Sequence, residues 1–297
     1  LYISERMGEQ MKKDRFYKIR VFVIALIVSL LVFGAMFAAT YYFVILKEQQ
    51  AMEQLIDVPM KTDYVPNKED NLAFVFMGCK ERNQVPEFFF LIKFDVTTNR
   101  CCVIEVPPAA LSTVQVKTKT IAEHYTYGSM EGAAKAVGNL LLLDVERYIR
   151  MDQNSLQTFV DFFSGITYYV PHDITTNDYQ FKEGEQLLDG RRVVSLLFSP
   201  AFYEKSDLIA HFLSTYLNDH LTNKLDSFYD LIFQKTDTNL NRAIFNELDR
   251  PIHYFLRASS RKFLSFSLDG NATENGLLPN KDTLEQLRKQ VSDKEVA

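Results

Sequence analysis

The sequence predicts an α/β protein, one domain behind a single N-terminal membrane-spanning helix, and three observations carry that reading. Val21 to Leu46 is an unbroken, predominantly apolar run without a charged residue, longer than the roughly 20 residues a helix needs to cross a bilayer. Three short runs, LAFVFMG (72–78), FFFLIKF (88–94) and CCVIEV (101–106), are apolar almost throughout. They read as strands buried on both faces, and such strands need helices on either side. Several later segments repeat apolar residues at helical spacing, which supplies those layers.

Taken in order, residues 1–20 carry Lys12, Lys13, Arg15, Lys18 and Arg20, whereas Lys47 is followed by Glu48, Glu53 and Asp57. The positive-inside rule therefore leaves the N-terminus in the cytoplasm, the helix at 21–46 in the plasma membrane and the rest of the chain outside. A cleaved signal peptide would have a shorter apolar core and a small-x-small site, for which AMFAATYY is a poor match. Residues 47–70 are polar with two prolines and read as a stalk. The domain proper is expected at 71–292, with a tail at 293–297.

Within it, the turn DVTTNR joins the second and third strands as a hairpin. SMEGAAKAVGNLLLL (129–143) is expected to be helical, as is DQNSLQTFVDFF (152–163), which opens on Asp152 as its cap. ITYYVP (166–171) reads as a strand closed by proline. EQLLDGRRVVSLLF (185–198) and DLIAHFLSTYLNDHL (207–221) read as helices, KFLSFSL (262–268) as a strand, NATENG as a loop and TLEQLRKQ (283–290) as a last helix.

Composition narrows the function. Six of the 33 basic and three of the 38 acidic residues precede Leu46, so the remainder carries a net charge near −8. Bulk attraction to nucleic acid or to an anionic wall polymer is excluded on that balance. Cys79, Cys101 and Cys102 are too few for a disulfide scaffold and read as buried thiols. The five histidines have no metal-ligand spacing, and no G-x-S-x-G elbow supports serine chemistry.

In order, NLAFVFMGCKER, the hairpin ending VIEVPP, the block AEHYTYGSMEGAAKAVGNLLLLDVERYIRMDQNSLQTFVDFFSGITYYVP, FKEGEQLLDG and TNL at 238–240 resemble the LytR-CpsA-Psr (LCP) family of cell-envelope proteins. YTYGS is similar to that family's Y-x-YGG and GEQLLDG to its GxQxLDG. The resemblance implies an α-β-α sandwich with a mixed central sheet. It also implies a polyprenyl chain buried among the helices, with the lipid pyrophosphate at the rim of the sheet. Members transfer glycopolymers such as teichoic acid or capsule from undecaprenyl pyrophosphate to peptidoglycan. That phosphoryl transfer needs arginine forks around the phosphates and a carboxylate for Mg²⁺.

Most of those groups are absent. The family's I-P-R-D is here Val106, Pro107, Pro108 and Ala109, and its R-S-D-T is Val85, Pro86, Glu87 and Phe88. Its G-x-D-x-R spans Gly78 to Arg82, with Lys80 in place of the aspartate. The Y-x-R-x-R after LDG reads Leu196, Leu197, Phe198, Ser199 and Pro200, and no R-x-x-R-Q follows. Arg82, Arg191 and Arg192 remain as candidates for a pyrophosphate and Glu87 for a metal, with Lys117 and Lys119 as further cations. Arg191 and Arg192 sit about two helical turns, roughly 9 Å, from the lost arginines. Phe88, Phe90, Phe159 and Phe163 are candidates both for plain core and for the lining of a prenyl pocket.

Three readings follow. The first is a catalytically degenerate module that binds a polyprenyl-phosphate lipid or an envelope-assembly protein and needs no cofactor. The second is an active, Mg²⁺-dependent transferase rebuilt on Arg82, Glu87, Arg191 and Arg192. The third is a scaffold whose lipid pocket has filled in.

Overall fold

The structure, a computed structural model, describes residues 64–292. The N-terminal segment 1–20, the apolar run 21–46, the stalk as far as 63 and the tail 293–297 lie outside the described residues. Among the described residues no helix is long and apolar enough to cross a membrane.

The chain enters through β1 (Leu72–Cys79), β2 (Phe88–Asp95) and β3 (Arg100–Val106). A small hairpin, β4 (Leu111–Val114) with β5 (Lys117–Thr120), leads into the long helix α1 (Ile121–Leu141). Then come β6 (Arg147–Asp152), α2 (Gln153–Phe162) and β7 (Ile166–Val170). The hairpin β8 (Ile174–Thr175) with β9 (Gln180–Phe181) precedes β10 (Gly184–Leu188) and α3 (Gly190–Leu197). Four further helices are α4 (Lys205–Tyr216), α5 (Asp219–Thr222), α6 (Leu225–Lys235) and, after β11 (Asp237–Thr238), α7 (Arg242–Glu247). The chain closes with α8 (Asp249–Arg257), β12 (Lys262–Ser267), the hairpin β13 (Gly270–Thr273) with β14 (Gly276–Pro279), and α9 (Lys281–Val291).

Six strands form the central sheet in the order β11-β6-β1-β2-β3-β12. β1 pairs parallel with β6 and β3 parallel with β12, while β1–β2, β2–β3 and β6–β11 are antiparallel, so the sheet is mixed. Alternation divides its side chains between two cores. Val75, Met77, Phe89, Leu91 and Ile104 pack with α1 and α9. Phe74, Phe76, Phe88, Phe90 and Ile92 pack with α2, α3, α4 and α6 to α8. This is the three-layer arrangement that the apolar strands required.

Several expected elements are corrected. Residues 64–70, assigned to the stalk, belong to the compact unit that begins at Tyr64. Tyr64 packs edge-on against Tyr254 at 5.5 Å between ring centroids. α1 starts eight residues earlier than its apolar spacing suggested, because Thr120 and Glu123 form a reciprocal capping box. Residues 185–198 are not one helix. Gly184–Leu188 pairs antiparallel with β7, and Asp189 then caps α3 by accepting from Arg192 N at 2.9 Å. The helix expected at 207–221 ends at Tyr216, and NATENG is a β-hairpin rather than a loop.

Candidate functional site

Two adjoining spaces dominate the α3–α4 side of the sheet. The first is an apolar cavity of about 180 Å³. One wall is the sheet, through residues such as Phe74, Ile92 and Ile149, and the other is the helices, through residues such as Phe212, Ile232 and Ile252. Among the described residues no lysine, arginine or histidine lines it, and its only polar linings are Asp70 and Tyr229. The cavity exists because wide aromatic and aliphatic side chains of α2, α4, α6 and α8 hold those helices off the sheet.

The four phenylalanine candidates share this core but not the same place in it. Phe159 lines the cavity directly. Phe163 stands behind it, 5.8 Å from Phe159 and 4.6 Å from Tyr216 between ring centroids. Phe88 and Phe90 are fully buried, 5.3 Å apart, and Phe88 reaches Phe198 at 5.1 Å. Gly78 is tied to that arrangement, since a Cβ there would fall 1.8 Å from the Phe88 ring.

The second space is a polar cleft of about 760 Å³ beside the carboxyl end of β1. Lys80, the α2 amides Gln153 and Gln157, Arg191 and the ring of Phe198 all line it. α3 separates the two spaces, with Val193 facing the cavity and Val194 the cleft.

Most charges at this end of the sheet are engaged with one of opposite sign. Lys80 Nζ lies 2.7 Å from Glu87 Oε1. Arg82, which is exposed, donates to Asp237 at 2.6 Å, and the same carboxylate accepts from Arg150 at 2.5 Å. Arg150 also donates to the Tyr125 hydroxyl. Burial alone would push the Asp237 carboxyl up, but the hydrogen bonds from Arg82 and Arg150 outweigh it and hold it below the usual range. Further along the rim, Glu105 and Lys205 stand half-buried. Burial raises the glutamate and lowers the lysine, each partly offset by the other's charge, and Glu87 adds to the field on Lys205.

The sequence candidates are thus separated. Arg82 is bound to Asp237 and Glu87 to Lys80. Arg192 donates its guanidinium to the Leu187 carbonyl at 3.2 Å. Arg191 alone of the four lines the cleft. Lys119 sits 3.3 Å over the Tyr127 ring, and Lys117 lies beside it on β5. The turn that lost arginine and aspartate serves as a backbone joint, where Pro108 O accepts from Ala122 N and Ala109 O from Leu277 N.

The Mg²⁺ that the family resemblance implies does not fit these residues. A hard cation wants carboxylate oxygens free of cations, and Glu87 is engaged by Lys80 with Lys205 nearby. Among the described residues no three His, Cys, Asp or Glu side chains converge on a point. Glu105, Lys205, Arg150 and Asp237 escaped the sequence reading. Glu105 and Arg150 lie inside segments that resemble the family but hold none of its named charged positions, and Asp237 meets Arg82 across 155 residues of chain.

Known proteins share this α/β arrangement. The LytR_cpsA_psr family model matches residues 96–198. The polyisoprenyl-teichoic acid–peptidoglycan teichoic acid transferase TagU of Oceanobacillus iheyensis is 20% identical over 215 residues, which is 66% of this chain and 65% of that protein. The chain thus spans about two thirds of the length of that curated relative. The crystal structure of a protein from Eubacterium siraeum superposes with a TM-score of 0.71 at 16% identity, covering 78% of this chain and 95% of that one. B. subtilis TagV gives 0.61 at 16% identity, over 76% and 96%. Residues 96–198 are thus similar to the LytR-CpsA-Psr family, and the fold is similar to that of TagV.

Proposed function

We propose that the protein is a membrane-anchored, outward-facing member of this family at the plasma membrane, which takes part in cell-envelope assembly by holding an isoprenoid lipid and not by transferring a glycopolymer. The observation that carries the proposal is a contrast within one site. The apolar cavity is open, while the cations and carboxylates at its rim neutralise one another. A phosphoryl-transfer site works by surplus positive charge aimed at developing charge on phosphate oxygens, and losing one such group costs on the order of 10³-fold or more. Lys80–Glu87 and Glu105–Lys205 balance, and Arg82 and Arg150 share the one carboxylate of Asp237, so the surplus among these groups is a single positive charge. The name of the Oceanobacillus relative supplies the class of chain, a polyisoprenyl lipid.

The test is native mass spectrometry of the full chain, extracted from a bacterial membrane in mild detergent, with and without Mg²⁺. Retention of a prenyl lipid, with no glycopolymer moved to peptidoglycan in a parallel assay, is the expected result. Transfer activity above background would end the degenerate reading.

The transferase reading keeps one observation, that Arg191 and Lys80 line the same cleft. If they hold a pyrophosphate, Mg²⁺ will favour the pyrophosphate form of the lipid and Arg191→Ala will abolish that preference. A stable complex with an envelope-assembly protein, formed without lipid, would support the binding-module reading through its other branch.

A further inference from the structure

The polar cleft carries two opposite charges that are not spent on each other. Asp178, in the turn between β8 and β9, and Arg191, in the first turn of α3, are both exposed and both line it. Among the described residues neither side chain has a hydrogen bond or an ion pair. The third charge on the lining, Lys80, is engaged by Glu87.

The walls that bear the two charges are tied together. Thr176 Oγ1 and Ser195 Oγ stand 2.7 Å apart, which joins the β8–β9 hairpin to α3. Thr176 also closes the turn that holds Asp178, because Tyr179 N donates to its Oγ1 at 3.1 Å and its own N donates to the Tyr179 carbonyl at 2.9 Å. Carboxylate and guanidinium are thus mounted on a braced frame, which lowers the ordering cost of binding between them.

The surface between the charges narrows the ligand. Gln153, Asn154 and Asn177 offer amide donors and acceptors. Val194, Phe198, Pro200 and Ala201 add an apolar floor, two of them at positions where the family pattern has arginine. A pyrophosphate would find one free cation and would face Asp178. A neutral sugar would use the amides and leave both charges idle. A short peptide uses every part, and about 760 Å³ lies in the size range of small-ligand sites.

We infer that the cleft binds a short peptide with both ends free, its amine on Asp178 and its carboxylate on Arg191, with small side chains over Phe198 and Pro200. This goes beyond the lipid-holding function, and the cleft shares no lining residue with the apolar cavity.

The experiment titrates the full chain in mild detergent by saturation-transfer NMR, with trialanine, N-acetyl-trialanine, trialanine amide, chitotriose and inorganic pyrophosphate. Trialanine is expected to bind, and blocking either end should weaken it about three- to tenfold. Arg191→Gln should erase the preference for trialanine over its amide and keep the preference over the acetylated form. Asp178→Asn should do the reverse. Thermal unfolding confirms that both variants are folded, and native mass spectrometry of the same samples reads retained lipid, which neither variant should change. Chitotriose or pyrophosphate bound about tenfold or more ahead of trialanine would overturn the inference, as would end preferences that ignore the two variants or no peptide binding at all. Lipid retained without peptide binding would leave the lipid-holding function standing alone, and peptide binding without lipid would leave this inference standing alone.

Discussion

Lys80 Nζ stands 2.7 Å from Glu87 Oε1, and that contact joins two positions which the family pattern uses for opposite purposes. Where the family pattern that the sequence resembles has an aspartate, this chain has a lysine, and its ammonium is paired with the remaining carboxylate. The ammonium supplies the positive charge that Glu87 would otherwise offer to Mg²⁺.

The first prediction follows from that pair. Mg²⁺ should move the melting temperature of the full chain by less than about 1 °C beyond an ionic-strength control, since a ligand stabilises only in proportion to its site-specific binding. Differential scanning fluorimetry with MgCl₂ against NaCl reads this directly. A concentration-dependent rise specific to Mg²⁺ would show that a metal site survives.

Asp237 should be a structural residue, and Arg82 a minor partner to it. The Arg150 side chain is 11% exposed, so removing its carboxylate leaves a nearly buried cation uncompensated. Asp237→Ala is expected to cost about 2–3 kcal/mol in urea unfolding. Arg82→Ala, whose side chain is 71% exposed, should leave the urea midpoint unchanged. The folded carboxyl lies below its ordinary value of 3.8. The stability it contributes is therefore complete above that value and is lost as pH falls through the lower, folded one. An acid titration of wild type against Asp237→Asn should show the difference between them closing only below about pH 3.8. Equal destabilisation by the Arg82 and Asp237 variants would refute this division of roles.

The contrast between local and distant signals explains what the sequence disclosed. The strands were legible because β1, β2 and β3 are buried on both faces, so apolarity alone marked them. Asp152 and the helix it caps were legible for the same local reason. β10 was not, because Leu187 is an exposed leucine on a five-residue strand and its neighbour Leu188 is buried. Side by side they imitate a helical stripe. The three helices between Leu225 and Arg257 were missed although Leu225, Tyr229 and Ile232 keep helical spacing, since aspartates and lysines break up the run. At the site, the missing arginines could be read from short motifs. The neutralisation of those that remain could not, because Arg82 and Asp237 meet only when β11 pairs with β6.

Blocking the cavity should remove the lipid and spare the fold. Leu213 lines the cavity from α4 and is only partly buried, so a larger ring there has space to enter. Leu213→Trp is expected to keep stability within about 1 kcal/mol of wild type, less than overpacking a close-packed core would cost. Co-purifying lipid should fall below detection in native mass spectrometry. Undiminished lipid in a folded Leu213→Trp chain would place the ligand elsewhere.

Ser129 offers a test that owes nothing to the ligand. It interrupts α1 at φ 57°, ψ −155°, a conformation that side chains other than glycine rarely adopt. The family resemblance puts a glycine at this position, the last of Y-x-YGG, and this chain keeps the kink without the residue that suits it. Strain of this kind costs of the order of 1–3 kcal/mol. Glycine would relieve it but release more entropy in the unfolded chain, about 0.5–1 kcal/mol. The net expectation is that Ser129→Gly stabilises by about 1 kcal/mol, seen as a higher urea midpoint at unchanged slope. Ser129→Ala, which keeps a Cβ, should bring no gain. A lower midpoint for the glycine variant would mean that the Ser129 side chain holds the kink by contacts worth more than the strain it bears.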